Sequence, residues 1–368
     1  MFNRILLYLK NFDWILFFAA LLLICFGLAE IYSVALSKDQ FDLINFRKQI
    51  FFVVLGMVAL FSLAFFDYYN LKSFSNYLYI LGVVVLVAVL FLGTEAKGTK
   101  GWFDVGIFRI QPVEFVKILL IIFLARYFSN NSIKVNPLKH LIVSGLGAAI
   151  FAGLVILQPD FGSALLLLFI WGAIVVLSGF EKKYIFSILM RLFVIFASGW
   201  LFFFQDYQKN RILTFIRPSA DNLSADWNIT QSIIAVGSGG LMGRGIGFGT
   251  QSQHKFLPEA QTDFIFAVIA EELGFLGVAL VLFFFAIIFY RMLRALREIN
   301  NDFGIYLVLG VLVLLFIEMF INIGMNMGIL PVVGISLPFV SYGGSSILSS
   351  LMLIGIVESV IIRSKINY

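Results

Sequence analysis

The fold is decided by residues 15–34, ILFFAALLLICFGLAEIYSV, an apolar run of 20 residues with one charged side chain, Glu30. A helix of about 20 mostly apolar residues is long enough to cross the hydrocarbon core of a bilayer. The run is too long for the apolar core of a signal peptide and has no convincing small-residue cleavage site. We therefore expect it to be retained as a transmembrane helix.

The rest of the chain repeats this pattern. Of the 368 residues, 61% are hydrophobic and 13% charged, and the mean hydropathy is +1.00, far outside the soluble average. The sequence predicts an all-α polytopic membrane protein, one domain over residues 1–368 with about ten transmembrane helices. The single cysteine, Cys25, excludes an internal disulfide and a thiol-based metal site. The ten spans should begin near Ile15, Ile50, Tyr77, Pro112, Leu141, Ser163, Tyr184, Thr262, Ile305 and Ser345.

Positive charge in the short loops predicts which side of the membrane holds the chain ends. Ten spans would place both termini on one side, with Arg4, Lys10 and the basic loops at residues 134–140, 181–183 and 291–297. By the positive-inside rule that side is cytoplasmic. The net charge of +5 is spread over both faces and gives no reason to expect a nucleic-acid partner.

Residues 205–261 form the longest segment without an apolar block of spanning length. The sequence predicts a large extracytoplasmic loop here, between the seventh and eighth spans, and long loops in compact domains are usually functional. Its cations suit either anionic lipid headgroups or a polyanionic substrate handled on the outer face, and charge alone does not choose between them. The polar side chains of interest are Arg211, Arg217, Gln231, Ser232, Arg244 and Glu259.

Residues 237–249, GSGGLMGRGIGFG, are rich in glycine but differ from a nucleotide-binding loop. No strand precedes them, and they lack the Gly-Lys-Ser/Thr ending. The pattern predicts backbone that bends tightly and approaches something closely, with Arg244 available for an anion. A plain flexible turn is the alternative.

Ionisable residues within spans are costly and therefore informative. Glu114 and Lys117 lie three residues apart near the start of the fourth span, so they share a helical face and can neutralise each other. Such a pair either tolerates burial or lines a polar cleft. Glu271 and Glu272 are expected to pack against polar partners or to lie near a cavity.

Asp263 is predicted in the first turn of the eighth span, at the membrane surface directly after the large loop. The helix dipole favours an acid there and lowers its pKa, which works against a strong general base. A nearby cation or diphosphate would outweigh the dipole. Two further polar loops are expected on the same face, and they carry Asp160, Ser341, Tyr342 and Ser345.

Several long motifs now occur in one order along essentially the whole chain. They are Gln111-Pro112…Glu114…Lys117, Gln158-Pro159-Asp160…Gly162, Gln231-Ser232…Gly240, Phe256-Leu-Pro-Glu259…Thr262-Asp263, Asn322-Ile-Gly-Met325 and Leu337-Pro-Phe…Ser341-Tyr-Gly-Gly-Ser-Ser346. In these residues the chain resembles the SEDS (shape, elongation, division, sporulation) family of bacterial membrane proteins. It is more similar to the elongation members than to the division members.

The resemblance implies a peptidoglycan glycosyltransferase of the bacterial cytoplasmic membrane, which polymerises lipid II on the outer face and releases undecaprenyl diphosphate. Asp263 would be the catalytic carboxylate, as general base or as ligand of a divalent cation, Mg²⁺ or Mn²⁺. Substrate and diphosphate would be bound by Lys117, Arg211, Arg217, Gln231, Ser232, Arg244, Glu259, Ser341, Tyr342 and Ser345. Supporting residues would be Glu114, Asp160 and Lys100.

The implied partners are lipid II, the nascent glycan chain, membrane lipids, a class B penicillin-binding protein and the elongation machinery. Two positions depart from the family pattern: Lys100 stands where an arginine is usual, and Glu318 where a glutamine is expected. The rival functions are a lipid II flippase without chemistry and a scaffold for a penicillin-binding protein. Transport would depend on charges within the membrane, whereas polymerisation would depend on Asp263.

Overall fold

The computed structural model describes residues 2–36, 43–96, 98–106, 108–131, 135–184, 186–187, 190, 225–254 and 256–366, and within them the chain is mostly helical. The helices of the first half are α1 (Phe2–Asn11), α2 (Trp14–Ala35), α3 (Ile44–Phe65), α4 (Tyr68–Leu92), α5 (Pro112–Asn130), α6 (Pro137–Ile156) and α7 (Phe161–Leu177). Those of the second half are α8 (Ala225–Ser238), α9 (Thr250–Gln253), α10 (Ile265–Glu298), α11 (Asp302–Asn326) and α12 (Gly344–Ile366).

Seven helices among the described residues are long and apolar enough to cross a membrane: α2, α3, α4, α6, α10, α11 and α12. This confirms a multi-pass helical membrane protein. Helix α7 is apolar but shorter, and α5, which carries Glu114 and Lys117, coincides with the predicted fourth span. The predicted seventh span, near Tyr184, lies largely outside the described residues, so the count of ten stays a prediction.

Several helices begin earlier than their apolar blocks. Helix α3 begins at Ile44 instead of Ile50, and α4 at Tyr68 instead of Tyr77. For α4 the reason is a cap: the side chain of Asp67 accepts a hydrogen bond from the backbone nitrogen of Tyr69 at 3.0 Å. Hydropathy marks the stretch that suits hydrocarbon, whereas the helix continues through polar residues to its cap.

Two long helices, α12 and α10, make many of the contacts that hold the bundle together. Helix α12 is largely buried and packs against α3, α11 and α5, while α10 packs against α2, α8 and α11. A small antiparallel sheet of three strands, β1 (Thr94–Ala96), β2 (Thr99–Val105) and β3 (Phe108–Ile110), joins α4 to α5. Phe108 of this sheet stacks on Phe51 of α3 with ring centroids 4.8 Å apart, which fixes the sheet over the start of α5.

Candidate active site

Asp263 lies directly before α10, and two buried asparagines hold its backbone. The carbonyl oxygen of Asp263 accepts hydrogen bonds from Nδ2 of Asn322 and Nδ2 of Asn326, each at 3.0 Å. The asparagines are one turn apart on α11 and fully buried. Buried amide groups require partners, and here they bind the backbone that carries Asp263. The catalytic candidate is thereby fixed to α11, while the residue itself stays partly exposed.

The segment around Asp263 is a turn, which corrects the prediction that the eighth span starts at Thr262 with Asp263 in its first turn. Helix α10 begins at Ile265. A side chain from a distant part of the chain forms a hydrogen bond with the backbone just before Asp263: the Oγ of Ser341 donates to the carbonyl oxygen of Thr262 at 2.6 Å. The dipole of α10 therefore acts on a carboxylate that lies two residues before the helix.

Residues 337–346 join the Asp263 turn to two other loops. The backbone nitrogen of Tyr342 donates to the carbonyl oxygen of Gln261 at 2.7 Å, and the Oγ of Ser345 accepts from the backbone nitrogen of Gln111 at 2.9 Å. Nε2 of Gln111 in turn donates to Oδ2 of Asp160 at 3.4 Å. The structure thus brings together the loops that the sequence places on one face.

Asp160 closes the start of α7. Its carboxylate accepts hydrogen bonds from the backbone nitrogen of Ser163 at 3.0 Å and from the Ser163 hydroxyl at 2.8 Å. Burial raises the pKa of the Asp160 carboxyl, and the two bonds from Ser163 oppose that rise. These contacts give Asp160 a supporting role, because they fix the loop that meets Gln111.

A buried ionic triad joins α5 and α11. Nζ of Lys117 is 2.8 Å from Oε2 of Glu114 and 2.6 Å from Oε1 of Glu318. The predicted pair therefore exists and has a third member, the residue that departs from the family pattern. Lys117 is only 4% exposed, so in this structure its ammonium group serves the two carboxylates, which argues against a direct contact with diphosphate.

Glu271 and Glu272 are fully buried and form hydrogen bonds, as one of the two sequence interpretations predicts. The Glu271 carboxylate accepts from the backbone nitrogens of Gln251 at 2.8 Å and Ser252 at 3.1 Å, at the start of α9. Glu272 accepts from the Oγ of Ser33 on α2 at 2.5 Å, among other donors. These contacts tie the end of the large loop to α10 and α2.

The glycine-rich run lies against a break in α10. Gly274 has φ 65° and ψ −161°, so α10 is interrupted there. Backbone groups next to this break form hydrogen bonds with the glycine-rich run: the backbone nitrogen of Phe275 donates to the carbonyl oxygen of Gly240 at 2.9 Å. A Cβ on Gly243 would lie 2.1 Å from the carbonyl oxygen of Glu272. The predicted close approach of backbone is confirmed, and its target is α10.

The remaining candidates occupy different surroundings. Ser232 is buried and donates to the carbonyl oxygen of Asn326 at 2.9 Å, which links α8 to the asparagines that hold Asp263. Gln231 beside it is also buried, while Glu259 is exposed and accepts from the Thr262 hydroxyl at 2.8 Å.

Two cationic candidates are exposed, and their hydrogen bonds connect them to segments other than the Asp263 turn. Lys100 lies on β2, where its backbone nitrogen donates to the carbonyl oxygen of Gln158 at 3.2 Å. Arg244 is exposed and donates from Nη1 to Oγ1 of Thr250 at 2.9 Å. Arg211 and Arg217 lie outside the described residues, as does the part of the large loop at residues 205–224.

The described residues contain no group of three or more His, Cys, Asp or Glu side chains that could hold a metal ion by themselves. A single carboxylate at Asp263 still fits the way Mg²⁺ is commonly bound, through one or two carboxylates together with substrate phosphates and water. The donor set therefore suits a cation that arrives with a diphosphate.

Asn322 and Asn326 are the main residues of the site that were not identified from the sequence. Asn322 appeared only as part of a family motif, and Asn326 was not singled out. The signal was present, because two amides four residues apart on a mostly apolar helix face the same side and need buried partners. Gln49 of α3 was also missed; it bonds the backbone of residues 341 and 343.

Comparison with known proteins shows which family has this architecture. A family model described as cell cycle protein, FTSW_RODA_SPOVE, matches residues 13–366. The peptidoglycan glycosyltransferase MrdB of Escherichia coli K12 is 37% identical over 324 residues, which cover 88% of this chain and 87% of that protein.

Two solved structures share the fold. A chain from a structure that describes the coordination of polymerization and crosslinking by a peptidoglycan synthase complex matches with a TM-score of 0.82 at 26% identity, over 96% of this chain and 98% of that one. The rod shape determining protein RodA of Thermus thermophilus matches with a TM-score of 0.71 at 25% identity, over 97% of this chain and 98% of that one. The likeness found in the sequence motifs is confirmed, and this chain belongs to the FTSW_RODA_SPOVE family of cell cycle proteins.

Proposed function

We propose that this chain polymerises lipid II into glycan strands on the outer face of the cytoplasmic membrane during cell elongation, and that Asp263 is its catalytic carboxylate. The enzyme class rests on the family: the E. coli relative is a peptidoglycan glycosyltransferase. The observation that carries the site is the fixing of the Asp263 backbone by two buried asparagines while the residue keeps access to solvent.

The proposed reaction is an inverting displacement at a sugar. The 4-hydroxyl of the acceptor GlcNAc attacks the anomeric carbon of the MurNAc that ends the growing chain. A bond forms between that oxygen and that carbon, and the bond from the anomeric carbon to the diphosphate oxygen breaks. Asp263 accepts the hydroxyl proton as general base, and undecaprenyl diphosphate leaves.

The departing diphosphate requires positive charge. We assign this role to Arg211, Arg217 and Arg244, and contacts with the rest of the substrate to Gln231, Glu259 and Tyr342. Ser232, Ser341 and Ser345 are as buried as Lys117 and are bonded to backbone groups, so their role is to hold the segments around the site. A divalent cation, Mg²⁺ or Mn²⁺, would be held by Asp263 and would neutralise the diphosphate when bound. The burial of Lys117 supports a different role for it, in which the triad keeps α5 and α11 together beneath the site.

The proposed topology has ten spans with both termini in the cytoplasm and residues 205–261 outside as one large loop. Its support is the basic residues near Arg291 and Arg363 at the ends of α10 and α12, opposite to the Asp263 end of α10. This places the lipid-linked substrate and the catalytic carboxylate on the same side of the membrane.

The proposed partners are lipid II, the nascent glycan chain, a class B penicillin-binding protein and the elongation machinery. Their support is the similar chain in the peptidoglycan synthase complex, whose structure concerns the coordination of polymerization and crosslinking. A polymerase and a crosslinking enzyme act on the same strand, so a complex of the two would pass product directly from one to the other.

The test of this function is a polymerisation assay. Purified protein, alone and with its cognate penicillin-binding protein, is incubated with lipid II and Mg²⁺ or Mn²⁺, and glycan products are separated on a gel. We expect a ladder of polymer that depends on the divalent cation. Movement of lipid II across vesicles without any polymer would instead support the flippase, and neither activity would support a scaffold.

A further inference from the structure

An apolar surface on the glycine-rich run is not used by the proposed reaction. Residues 239–249 form a series of turns, called here the glycine segment, that pairs with α10 on both sides of Gly274. Its large side chains point away from the protein: Leu241 is 73% exposed, Met242 77% and Phe248 74%. Large contiguous apolar surface usually marks contact with membrane or protein.

The depth of the glycine segment follows from two helices. On α10, Arg291 forms an ion pair with Asp13, at the end of the bundle that holds the start of α2. The unbroken part of α10 from Phe275 to Arg291 covers 16 residues, or about 24 Å at about 1.5 Å per residue, and Glu272 lies just beyond the break at Gly274. The hydrocarbon core is about 30 Å thick, so with Arg291 at one boundary Glu272 lies at the other.

Helix α2 gives the same depth independently. Trp14, a residue type common at membrane interfaces, begins this helix beside Asp13. Ser33 follows 19 residues later and donates its hydroxyl hydrogen bond to Glu272. The glycine segment is attached at this level, because the backbone nitrogens of Gly245 and Gly247 donate to the carbonyl oxygen and the carboxylate of Glu272, at 2.9 and 3.0 Å.

The backbone of the glycine segment suits the edge of a bilayer. Polar backbone groups at this depth need partners within the protein, and the break at Gly274 supplies several: Leu276 N donates to Leu241 O at 3.2 Å and Arg244 N donates to Glu271 O at 3.0 Å. The surface also continues onto α10, where Phe275 is 62% exposed. Apolar side chains of the segment and of the transmembrane helix thus form one face.

We propose that the glycine segment is a membrane anchor that inserts Leu241, Met242, Ile246 and Phe248 into the outer leaflet at the boundary of the hydrocarbon core. Its occupant is phospholipid of that leaflet. The inference rests on the multi-pass topology and holds whether or not Asp263 is catalytic.

The anchor is tested by spin-label accessibility. A nitroxide is attached at Met242→Cys in a Cys25→Ala background, and the protein is placed in vesicles of phosphatidylethanolamine and phosphatidylglycerol. Phe283→Cys, on the exposed apolar face of α10, is the lipid-facing control, and Lys183→Cys, whose side chain is exposed and charged, is the aqueous control. All three side chains are exposed, so labelling should leave the fold intact.

The expected result is a ratio of oxygen to nickel-chelate collisions at position 242 that is several times the ratio at position 183 and nears that at position 283. A label at Phe248→Cys should behave in the same way. A ratio equal to that of position 183 would place the segment in water and overturn the proposal. An immobilised label shielded from both reagents would also overturn it, because a protein partner would then cover the surface.

Discussion

The side-chain amide of Asn322 donates a 3.0 Å hydrogen bond to the backbone carbonyl oxygen of Asp263, and so links the turn that follows the polar segment 205–261 to a buried position on α11. Asn326, one turn further on, repeats the bond at the same distance. Two buried donors on one rigid helix fix the location of a carboxylate more firmly than a free loop could. The proposed chemistry depends on this arrangement.

Removing either asparagine should slow polymerisation without abolishing the fold. Asn322→Ala and Asn326→Ala leave the Asp263 turn with one donor instead of two, and small displacements of a reacting group cost up to about 10²-fold in rate. We expect kcat to fall about 10- to 100-fold, with a smaller change in KM for lipid II. The measurement is steady-state polymerisation by the purified variants.

Asn301→Ala is the matched control for the asparagines. Asn301 caps the opposite end of the same helix and bonds the hydroxyl of Tyr68 at 2.6 Å. Its loss should lower stability by about 1 kcal/mol and leave kcat near the wild-type value. Equal losses of kcat in all three variants, in proportion to stability, would show that the asparagines serve only folding.

The general fold was predictable from the sequence because its main physical cause is local. A run of 20 mostly apolar residues, as at residues 15–34, favours a spanning helix whatever lies around it, and α2 confirms this. Helix ends were less predictable. The sequence predicted that α10 starts at Thr262, whereas it starts at Ile265, and the carbonyl oxygen of Thr262 accepts a hydrogen bond from Ser341, 79 residues away in the chain.

The site was predictable in its residue types and less so in its pairings. Glu114 and Lys117 lie three residues apart, so their contact follows from helix geometry. Glu318 lies 201 residues from Lys117, and a single sequence contains no signal for that separation. The family motifs indicated Asp263, but the asparagines that hold it required the structure.

The ionic triad should be strongly coupled. Lys117→Met would leave two carboxylates buried together, which should lower the free energy of unfolding by about 3–5 kcal/mol. Glu318→Gln keeps the contact between Glu114 and Lys117 and should lower it by less. The loss of unfolding free energy in the double variant Glu114→Gln/Lys117→Met should be smaller than the sum of the losses in the two single variants, by about 0.5–3 kcal/mol. Unfolding in detergent measures each value, and strict additivity would contradict the triad.

Gly243→Ala should disrupt the attachment of the glycine segment to α10. Gly243 has φ +76°, and an added Cβ would lie 2.1 Å from the backbone of Glu272. Gly237→Ala is the matched control, because no atom lies within 4 Å of its added Cβ and it lies within α8. We expect a lower thermal midpoint for Gly243→Ala alone; equal midpoints in the two variants would show that the contact contributes little.

The topology predicts opposite labelling of the two membrane faces. In a Cys25→Ala background, cysteines at Lys183 and Arg297 should react with a membrane-impermeant maleimide only after the membrane is opened. A cysteine at Glu95, which is exposed on β1, should react in intact cells, as should one at Asn222. Reaction at Asn222 from the cytoplasmic side alone would reverse the assignment of the large loop.

The catalytic role of Asp263 is tested most directly by Asp263→Asn in the lipid II polymerisation assay. The substitution keeps nearly the same volume and removes both proton acceptance and anionic metal ligation. Loss of a general base alone costs about 10²–10⁴-fold in rate, so we predict no detectable glycan ladder from variant protein that keeps the wild-type thermal midpoint and partner binding. Glu271→Gln should reduce stability or activity more mildly. Polymerisation by well-folded Asp263→Asn protein at near the wild-type rate would contradict the assignment and favour the flippase.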